Sequence, residues 1–366
     1  MTNRDAYLVF NLLPSVGPRR VRTLIQIFGS AAAALDARPA DLARVEGIGR
    51  DLSTAIATWE STIDLAREHR RIAETGCHVL TWDDETYPAG LREIHSPPLV
   101  LYVQGQLEPR DRHAIGIVGS RRTSHYGLTA TKKLAFQLAR AGLTVVSGLA
   151  RGIDTAAHEA ALASGGRTVA VIGSGLGQLY PPENRALAER IADGHGAVVT
   201  EFPIDYPPDK QSFPLRNRIV AGWGSGLLVV EAPARSGALI TANQAADSGR
   251  TVYAVPGPID RPTSQGTNNL LKNGATLVTD AADILDDLET LFPASDLPNN
   301  DPSPKARTLP PDQMAVYDAL DESETNIEEL IKRTGLTCAV VSTTLLRLQM
   351  KHLVKQLPGQ YFVKLL

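Results

Sequence analysis

The chain has 366 residues, 43% hydrophobic and 21% charged, with a formal net charge of -3. That is the composition of an ordinary soluble globular protein with room for two or three domains. A charge so near zero excludes a uniformly basic surface, so any polyanion site has to be a local patch. The two cysteines, Cys77 and Cys338, match neither a zinc spacing nor a disulfide framework, which suits a reducing compartment. The opening Asn3-Arg4-Asp5 and the short apolar stretch after it do not read as a signal peptide. No apolar run reaches membrane-spanning length, so a cytoplasmic protein without a membrane partner is expected.

Residues 1–75 read as helical and rich in Ala, Leu and Arg. Two segments within them resemble each other: Leu13-Pro14-Ser15-Val16-Gly17-Pro18-Arg19-Arg20-Val21 and Val45-Glu46-Gly47-Ile48-Gly49-Arg50-Asp51-Leu52. Each reads as a helix-hairpin-helix motif, whose hairpin amides can face DNA phosphates or which can serve in a small bundle for protein contacts. Val79–Trp82 is a short strand, and Pro97-Pro98 precede the apolar run Leu99–Val103.

From there apolar runs alternate with helical patterns: Ile115–Val118, Thr144–Ser147, Val169–Ile172, Ala197–Thr200, Leu227–Val230, Val252–Val255 and Ala275–Val278. Strands alternating with helices imply right-handed crossovers and a mostly parallel sheet. The fold class is therefore α/β, with an extended Rossmann-like core over residues 76–290. Its ligand crevice belongs at the carboxyl ends of the strands, near the topological switch point. Residues 291–308, rich in Pro, Asp, Asn and Ser, form a linker. Residues 309–366 carry helices at Asp312–Leu320, Ile327–Thr334 (capped by Asn326, ended by Gly335) and Cys338–Met350. A hairpin of Leu353–Leu357 and Tyr361–Leu365 about Pro358-Gly359 follows, which makes a winged helix.

Chemistry concentrates at four strand ends. Gly119-Ser120-Arg121-Arg122 ends the first run ahead of a helix that opens near Tyr126. Free helix N–H groups, the helix dipole and paired guanidinium forks favour a phosphate there. Ser147-Gly148-Leu149-Ala150-Arg151-Gly152-Ile153-Asp154 leads to His158, Gly173-Ser174-Gly175-Leu176-Gly177 to Tyr180-Pro181 and Asn184, and Glu231 to Ser236-Gly237-Ala238. Glycines at neighbouring strand ends build a wide backbone-lined groove. No G-x-G-x-x-G occupies the first strand–helix turn, so no dinucleotide cofactor is expected. Lys210, Phe213, Arg216, Asn217 and Arg218 interleave cations with an aromatic, the combination that single-stranded nucleic acid needs. Asp154 and His158 share a helix face, yet nothing resembles a nucleophile elbow, so no catalytic residue is assigned and no metal ligand set is found. On the helix Cys338–Met350 a core stripe of Val341, Leu345 and Leu348 backs an outward face of Ser342, Thr343 and Arg347, with Lys351 beyond. That face is sparse for reading base edges and suits protein docking or phosphate contact.

These motifs, with Phe213-Pro214, Arg216-Asn217-Arg218, Ser236-Gly237-Ala238 with Thr241, and Pro256-Gly257 with Gly266-Thr267-Asn268, stand in one order along the chain. In that order the chain resembles the DNA-processing protein A (DprA, or Smf) family over essentially its whole length. The resemblance implies a helical SAM-like N-terminal domain (1–75), the Rossmann-like core and a winged helix. It also implies a non-enzymatic protein of natural transformation and recombination that protects single-stranded DNA and loads the RecA recombinase. Under it, Ser120 and Arg121 hold phosphates, Gly119, Arg122 and Arg151 belong to the same single-stranded DNA site, and Gly173, Ser174 and Gly175 line the same groove. Lys210, Phe213, Arg216, Asn217 and Arg218 extend that groove. A homodimer through Asn268–Leu277 is implied, with Leu270, Leu271 and Leu277 at the interface; duplex DNA on the winged helix is a further partner that the sequence leaves open. Pro182 stands where some members have lysine, so that phosphate contact is either missing or supplied by Arg185. The rival enzyme reading is a nucleoside-monophosphate phosphoribohydrolase, whose Pro-Gly-Gly-x-Gly-Thr run is here Pro256-Gly257-Pro258-Ile259-Asp260. A second rival, a winged-helix transcription factor with the core as an effector sensor, meets the same sparse recognition face.

Overall fold

Nine strands join in one sheet: β1 (His78–Thr81), β2 (Val100–Gly105), β3 (Ala114–Val118), β4 (Thr144–Ser147), β5 (Thr168–Val171), β6 (Gly196–Thr200), β7 (Gly226–Val229), β8 (Thr251–Ala254) and β9 (Thr276–Leu277). The computed structural model describes residues 1–289, 310–320, 325–350, 353–357 and 361–364. The expected linker at 291–308, the turn at Pro358-Gly359 and Lys351 lie outside them, as does the side chain of Arg347. The chain divides into two compact units, Met1–Pro298 and Asn299–Leu366.

The strand order is β1-β2-β6-β5-β4-β3-β7-β8-β9. Every pairing from β6 through to β9 is parallel. The two outer strands β1 and β2 are added antiparallel on the β6 side. From β3 the chain moves outward through β4, β5 and β6, then returns to the other side of β3 and continues outward through β7 and β8. The loops leaving β3 and β7 therefore diverge, and a crevice opens between them. Alternation along β3 splits its side chains between two apolar layers. Ile115 and Ile117 pack with Leu134 and Ala157 of the helices His125–Arg140 and Ile153–Ala163. Val118 packs with Ile219 and Ala242 of the helices Ser212–Trp223 and Gly237–Asp247. All five residues of β3 are buried, as a central parallel strand demands.

Two sequence boundaries change in the structure. Ala275–Val278 contracts to the two-residue edge strand β9, because only Thr276 and Leu277 stand in register with β8, although the Val278 N–H still donates to the Ala254 carbonyl at 3.0 Å. The helical segment before β1 is not a separate core: Tyr7, Phe10, Leu24, Leu42 and Ile56 belong to one buried cluster with Tyr102 of β2, Ala170 of β5 and Val198 of β6. Both hairpins form as read. Arg20 ties them together, donating from Nε to the Gly47 carbonyl at 2.9 Å and from a terminal nitrogen to the Ser15 carbonyl at 2.8 Å.

The second unit holds helices Pro311–Asp318, Ile327–Thr334 and Cys338–Met350. Its sheet contains β10 (Thr325–Asn326), β11 (Val354–Leu357) and β12 (Tyr361–Lys364), with β12 central. Val341, Leu345 and Leu348 are buried against Val316, Leu330, Val354 and Phe362, the stripe read from the sequence. Asn326 Oδ1 caps the second helix by accepting from the Glu328 N–H at 2.9 Å, and Gly335 ends it at φ 67°. The strand β10 has no signal in the sequence, since a two-residue strand is too short to show an alternation.

A candidate nucleic-acid interface at the switch point

A cavity of about 580 Å³ opens where β3 and β7 diverge. One wall is the turn Gly119-Ser120-Arg121-Arg122. Glycine is required at its first position, because a Cβ at 119 would lie 2.6 Å from Ile153 Cγ1 and 3.0 Å from the Glu231 carbonyl oxygen. The Ser120 N–H donates to that carbonyl at 2.7 Å, stitching the β3 turn to the end of β7. Ser120 Oγ is spent within the turn: it donates to the Arg122 carbonyl at 2.9 Å and accepts from the Arg122 N–H at 3.1 Å. Its role is to shape the turn, and the arginines project from it.

Glu231 braces the opposite side. Its carboxylate accepts from Thr123 Oγ1 at 2.6 Å and from the Ser124 N–H at 2.8 Å. Burial alone would raise the Glu231 carboxyl, but the hydrogen bonds from Thr123, Ser124 and Thr263 outweigh it and hold the group below the usual range. The wall after β7 is Pro233, Arg235, Ser236, Gly237 and Ala238, where Ser236 Oγ caps the next helix by accepting from the Ala238 N–H at 3.2 Å. The dipole of that helix favours an anion here.

Five cations line the cavity, Arg121, Arg122, Lys210, Arg216 and Arg235, against one carboxylate, Asp154. Arg121, Arg122, Lys210 and Arg235 are exposed, and none has an ion-pair partner among the described residues. Phe213 is half-buried on the rim, with the Arg121 guanidinium 5.3 Å above its ring. The Tyr180 ring lies 5.9 Å from that of Phe213, and the Arg151 guanidinium 5.9 Å from Tyr180, so cations and aromatic faces alternate along the rim. Arg151 also pairs with Glu183, both half-exposed, a contact weak enough to be exchanged for a phosphate.

Beneath this surface lies a buried polar layer. Arg216 is 4% exposed, and one of its terminal nitrogens donates to the carbonyls of Gly148 and Val171. Desolvation lowers its pKa to about 10, and desolvation likewise raises that of Asp154 to about 6, so both are charged at neutral pH. Asp154 accepts from the N–H groups of Gly148 and Ala150 at 3.2 and 3.4 Å. His158 is fully buried, its Nδ1 2.6 Å from Thr168 Oγ1. Burial first, then Arg216, lowers its pKa to about 3, so the ring is neutral. Asp154 and His158 thus each serve backbone or strand contacts and do not form a dyad.

Of the residues expected in the groove, Gly119, Ser120, Arg121, Arg122, Lys210, Phe213, Arg216 and Asn217 meet at this cavity. Arg151 joins them along the rim, beside Arg121, Tyr180 and Phe213. Gly173, Ser174 and Gly175 do not. All three are buried, a Cβ at 173 would sit 2.7 Å from Phe213 Cδ1, and the Gly175 N–H is taken by the Tyr206 carbonyl at 2.9 Å. Their turn is the bed on which Phe213 and the loop after β6 rest. Arg218 is also removed from the groove, because its guanidinium pairs with Glu201 at the end of β6, both mostly buried. Leu277 is 52% exposed on edge strand β9, while Leu270 and Leu271 are half-buried. Arg235 and Ile240 line the cavity without having been singled out. Arg235 carries a readable signal: like Arg121 and Arg122 it stands just before a serine helix cap at a strand end.

The molecule is therefore an extended Rossmann-like protein with a cation-lined switch point and a winged-helix unit. The family model of DNA recombination-mediator protein A matches residues 78–289, and that of the DprA winged helix domain matches residues 300–360. Protein Smf of Synechocystis sp. is 34% identical over 388 residues, spanning 97% of each chain. The crystal structure of DNA processing protein A from Streptococcus pneumoniae superposes with a TM-score of 0.69 at 33% identity, over 78% of this chain and 98% of that one. DNA processing protein A of Helicobacter pylori, described as having a single-stranded DNA binding mode, gives a TM-score of 0.53 at 28% identity, over 59% of this chain and 98% of its own. This chain belongs to the DprA/Smf family.

Proposed function

We propose that the switch-point cavity is a single-stranded DNA groove, and that the protein processes DNA in natural transformation and recombination. The lining carries this reading: four exposed, unpaired cations and a buried fifth face a single carboxylate beside an aromatic rim. Arginine and lysine take successive phosphates while Phe213 and Tyr180 offer faces to bases, which gives binding without sequence preference. The Helicobacter pylori relative, described as binding single-stranded DNA, supports the same assignment.

On this reading the protein shields the strand and loads the RecA recombinase onto it. It acts in the cytoplasm as a homodimer through Asn268–Leu277, whose exposed Leu277 suits an interface. The winged helix is the site left for duplex DNA. The groove binds and does not hydrolyse: Asp154 is held by backbone amides and His158 by a strand threonine, so neither is placed as a general base.

Titration of fluorescent oligo-dT across a salt series, with AMP hydrolysis followed in parallel, tests the reading. If the four exposed cations each neutralise one phosphate, log affinity falls against log salt with a slope of about -3. A flat salt dependence, or release of base from AMP, would replace the groove with a small-molecule site.

A further inference from the structure

We infer that the groove continues past the cavity toward β8, where Tyr126 and Arg261 form a second base-stacking and phosphate-holding subsite for the same strand. The inference rests on the reading of the cavity as a single-stranded DNA groove. Tyr126 is the second residue of the helix His125–Arg140 and is 47% exposed. Its hydroxyl donates to the Pro256 carbonyl at 2.8 Å, which fixes the side chain between the helix N-terminus and the loop that leaves β8. A ring held by its polar end and open to solvent has already lost much of the rotamer freedom that stacking would cost.

The cavity wall and this ring are joined by the short turn Thr123-Ser124-His125. Arg122 lines the cavity and lies four residues before Tyr126. Glu231 accepts from Thr123, Ser124 and Thr263, so the turn after β3 and the loop after β8 are fastened to one carboxylate. The loop is folded by the Arg261 N–H donating to the Pro258 carbonyl at 3.2 Å and by the Ser264 N–H donating to the Arg261 carbonyl at 3.0 Å. Arg122 and Arg261 are both exposed, without an ion-pair partner among the described residues. The neighbouring carboxylates are Glu231, already engaged, and the exposed Asp260. Ile259 is 94% exposed on the same loop and adds an apolar surface that no core contact explains.

Charge and chemistry both favour a single-stranded polyanion as the occupant. The β3 turn supplies two arginines: Arg121 over Phe213, and Arg122 exposed on the cavity wall four residues ahead of Tyr126. A nucleotide beyond the cavity would stack on Tyr126 with Ile259 beside it, its phosphates held by Arg122 and Arg261.

The test compares a short oligo-dT of about 4 nucleotides with a long one of about 16, bound by the full chain and its Tyr126→Ala, Tyr126→Phe, Arg261→Glu and Arg121→Glu variants. Tyr126→Ala and Arg261→Glu should each weaken the long oligonucleotide about tenfold and leave the short one unchanged. Tyr126→Phe, which keeps the ring, should bind the long one nearly as wild type. If Tyr126→Ala and Arg261→Glu bind the long oligonucleotide as wild type while Arg121→Glu loses both lengths, the subsite is wrong and the cavity reading stands. Equal weakening of both lengths by Tyr126→Ala, with a lowered melting temperature, would make Tyr126 a strut for the loop and also overturn the subsite. Failure of the wild type to bind either length would remove the cavity reading itself.

Discussion

After β3 the chain turns through Gly119-Ser120-Arg121-Arg122, and after β5 through Gly173-Ser174-Gly175; both turns rest on glycine and serine at the end of a buried parallel strand. At the first, Ile153 and the Glu231 carbonyl crowd Gly119 while Arg121 and Arg122 stay exposed, and a cavity forms beside them. Above the second lie Phe213 and the loop carrying Pro203, Ile204 and Tyr206, so every residue of the turn is buried and its amide is consumed by protein. A strand-end glycine turn offers close backbone approach, and what approaches is decided by the segment that crosses over it. Here one turn is packed under the chain itself, and the other borders an open cavity.

The largest expected effect falls on the buried layer that ties the ends of β4 and β5. Arg216→Ala removes the guanidinium that holds the Gly148 and Val171 carbonyls and leaves Asp154 buried without its counter-charge, so the unfolding free energy from urea titration should drop by about 3–5 kcal/mol. Next is Arg121→Glu, in which an exposed cation becomes a like charge for phosphate. Oligo-dT affinity should fall by about 3 kcal/mol while the melting temperature stays put, and loss of stability instead would erase the contrast between the turns. Gly175→Ala should act in the opposite way. Its Cβ would overlap the carbonyl oxygens of Pro203 and Ile204, costing about 1–3 kcal/mol of stability with groove chemistry intact in the folded fraction.

The smallest effect is a pH dependence. His158 has its pKa lowered to about 3, so between that value and 6.5 the unfolded chain takes up the proton first. Its stability contribution is complete above pH 6.5 and is lost as pH falls, by about 1.4 kcal/mol from pH 7.5 to 5.5. Asp154, raised to about 6, acts with the opposite sign: its folded carboxyl is protonated more readily, which favours the fold as pH falls below 6. His158→Gln should therefore abolish the decline between pH 7.5 and 5.5 in thermal melts and leave the shallower Asp154 trend.

Strands and their order of appearance are legible because each central parallel strand is a short buried segment whose middle is apolar, with Thr, Ser or Gly at the ends of several. Arg121 and Phe213 were legible as a cation and an aromatic beside a strand-end turn. Exposure was not. Lys210 precedes the helix Ser212–Trp223 and Arg218 lies within it, yet one faces the cavity and the other meets Glu201 just past the end of β6. Nothing local in a sequence distinguishes an arginine that reaches solvent from one that reaches another element. Arg216 is the clearest case, since its backbone-carbonyl partners come from two separate strand ends and leave no compositional trace.

The cluster that runs from Tyr7 and Phe10 through to Tyr102, Ala170 and Val198 bears on how this chain can be cut. A fragment beginning at β1 would keep all nine strands and still present those sheet residues to water, stripped of the helices that cover them, and such a fragment invites aggregation. The winged-helix unit keeps its own apolar cluster, from Val316 to Phe362, and is the piece that a protease or a cloning boundary can separate with its interior intact.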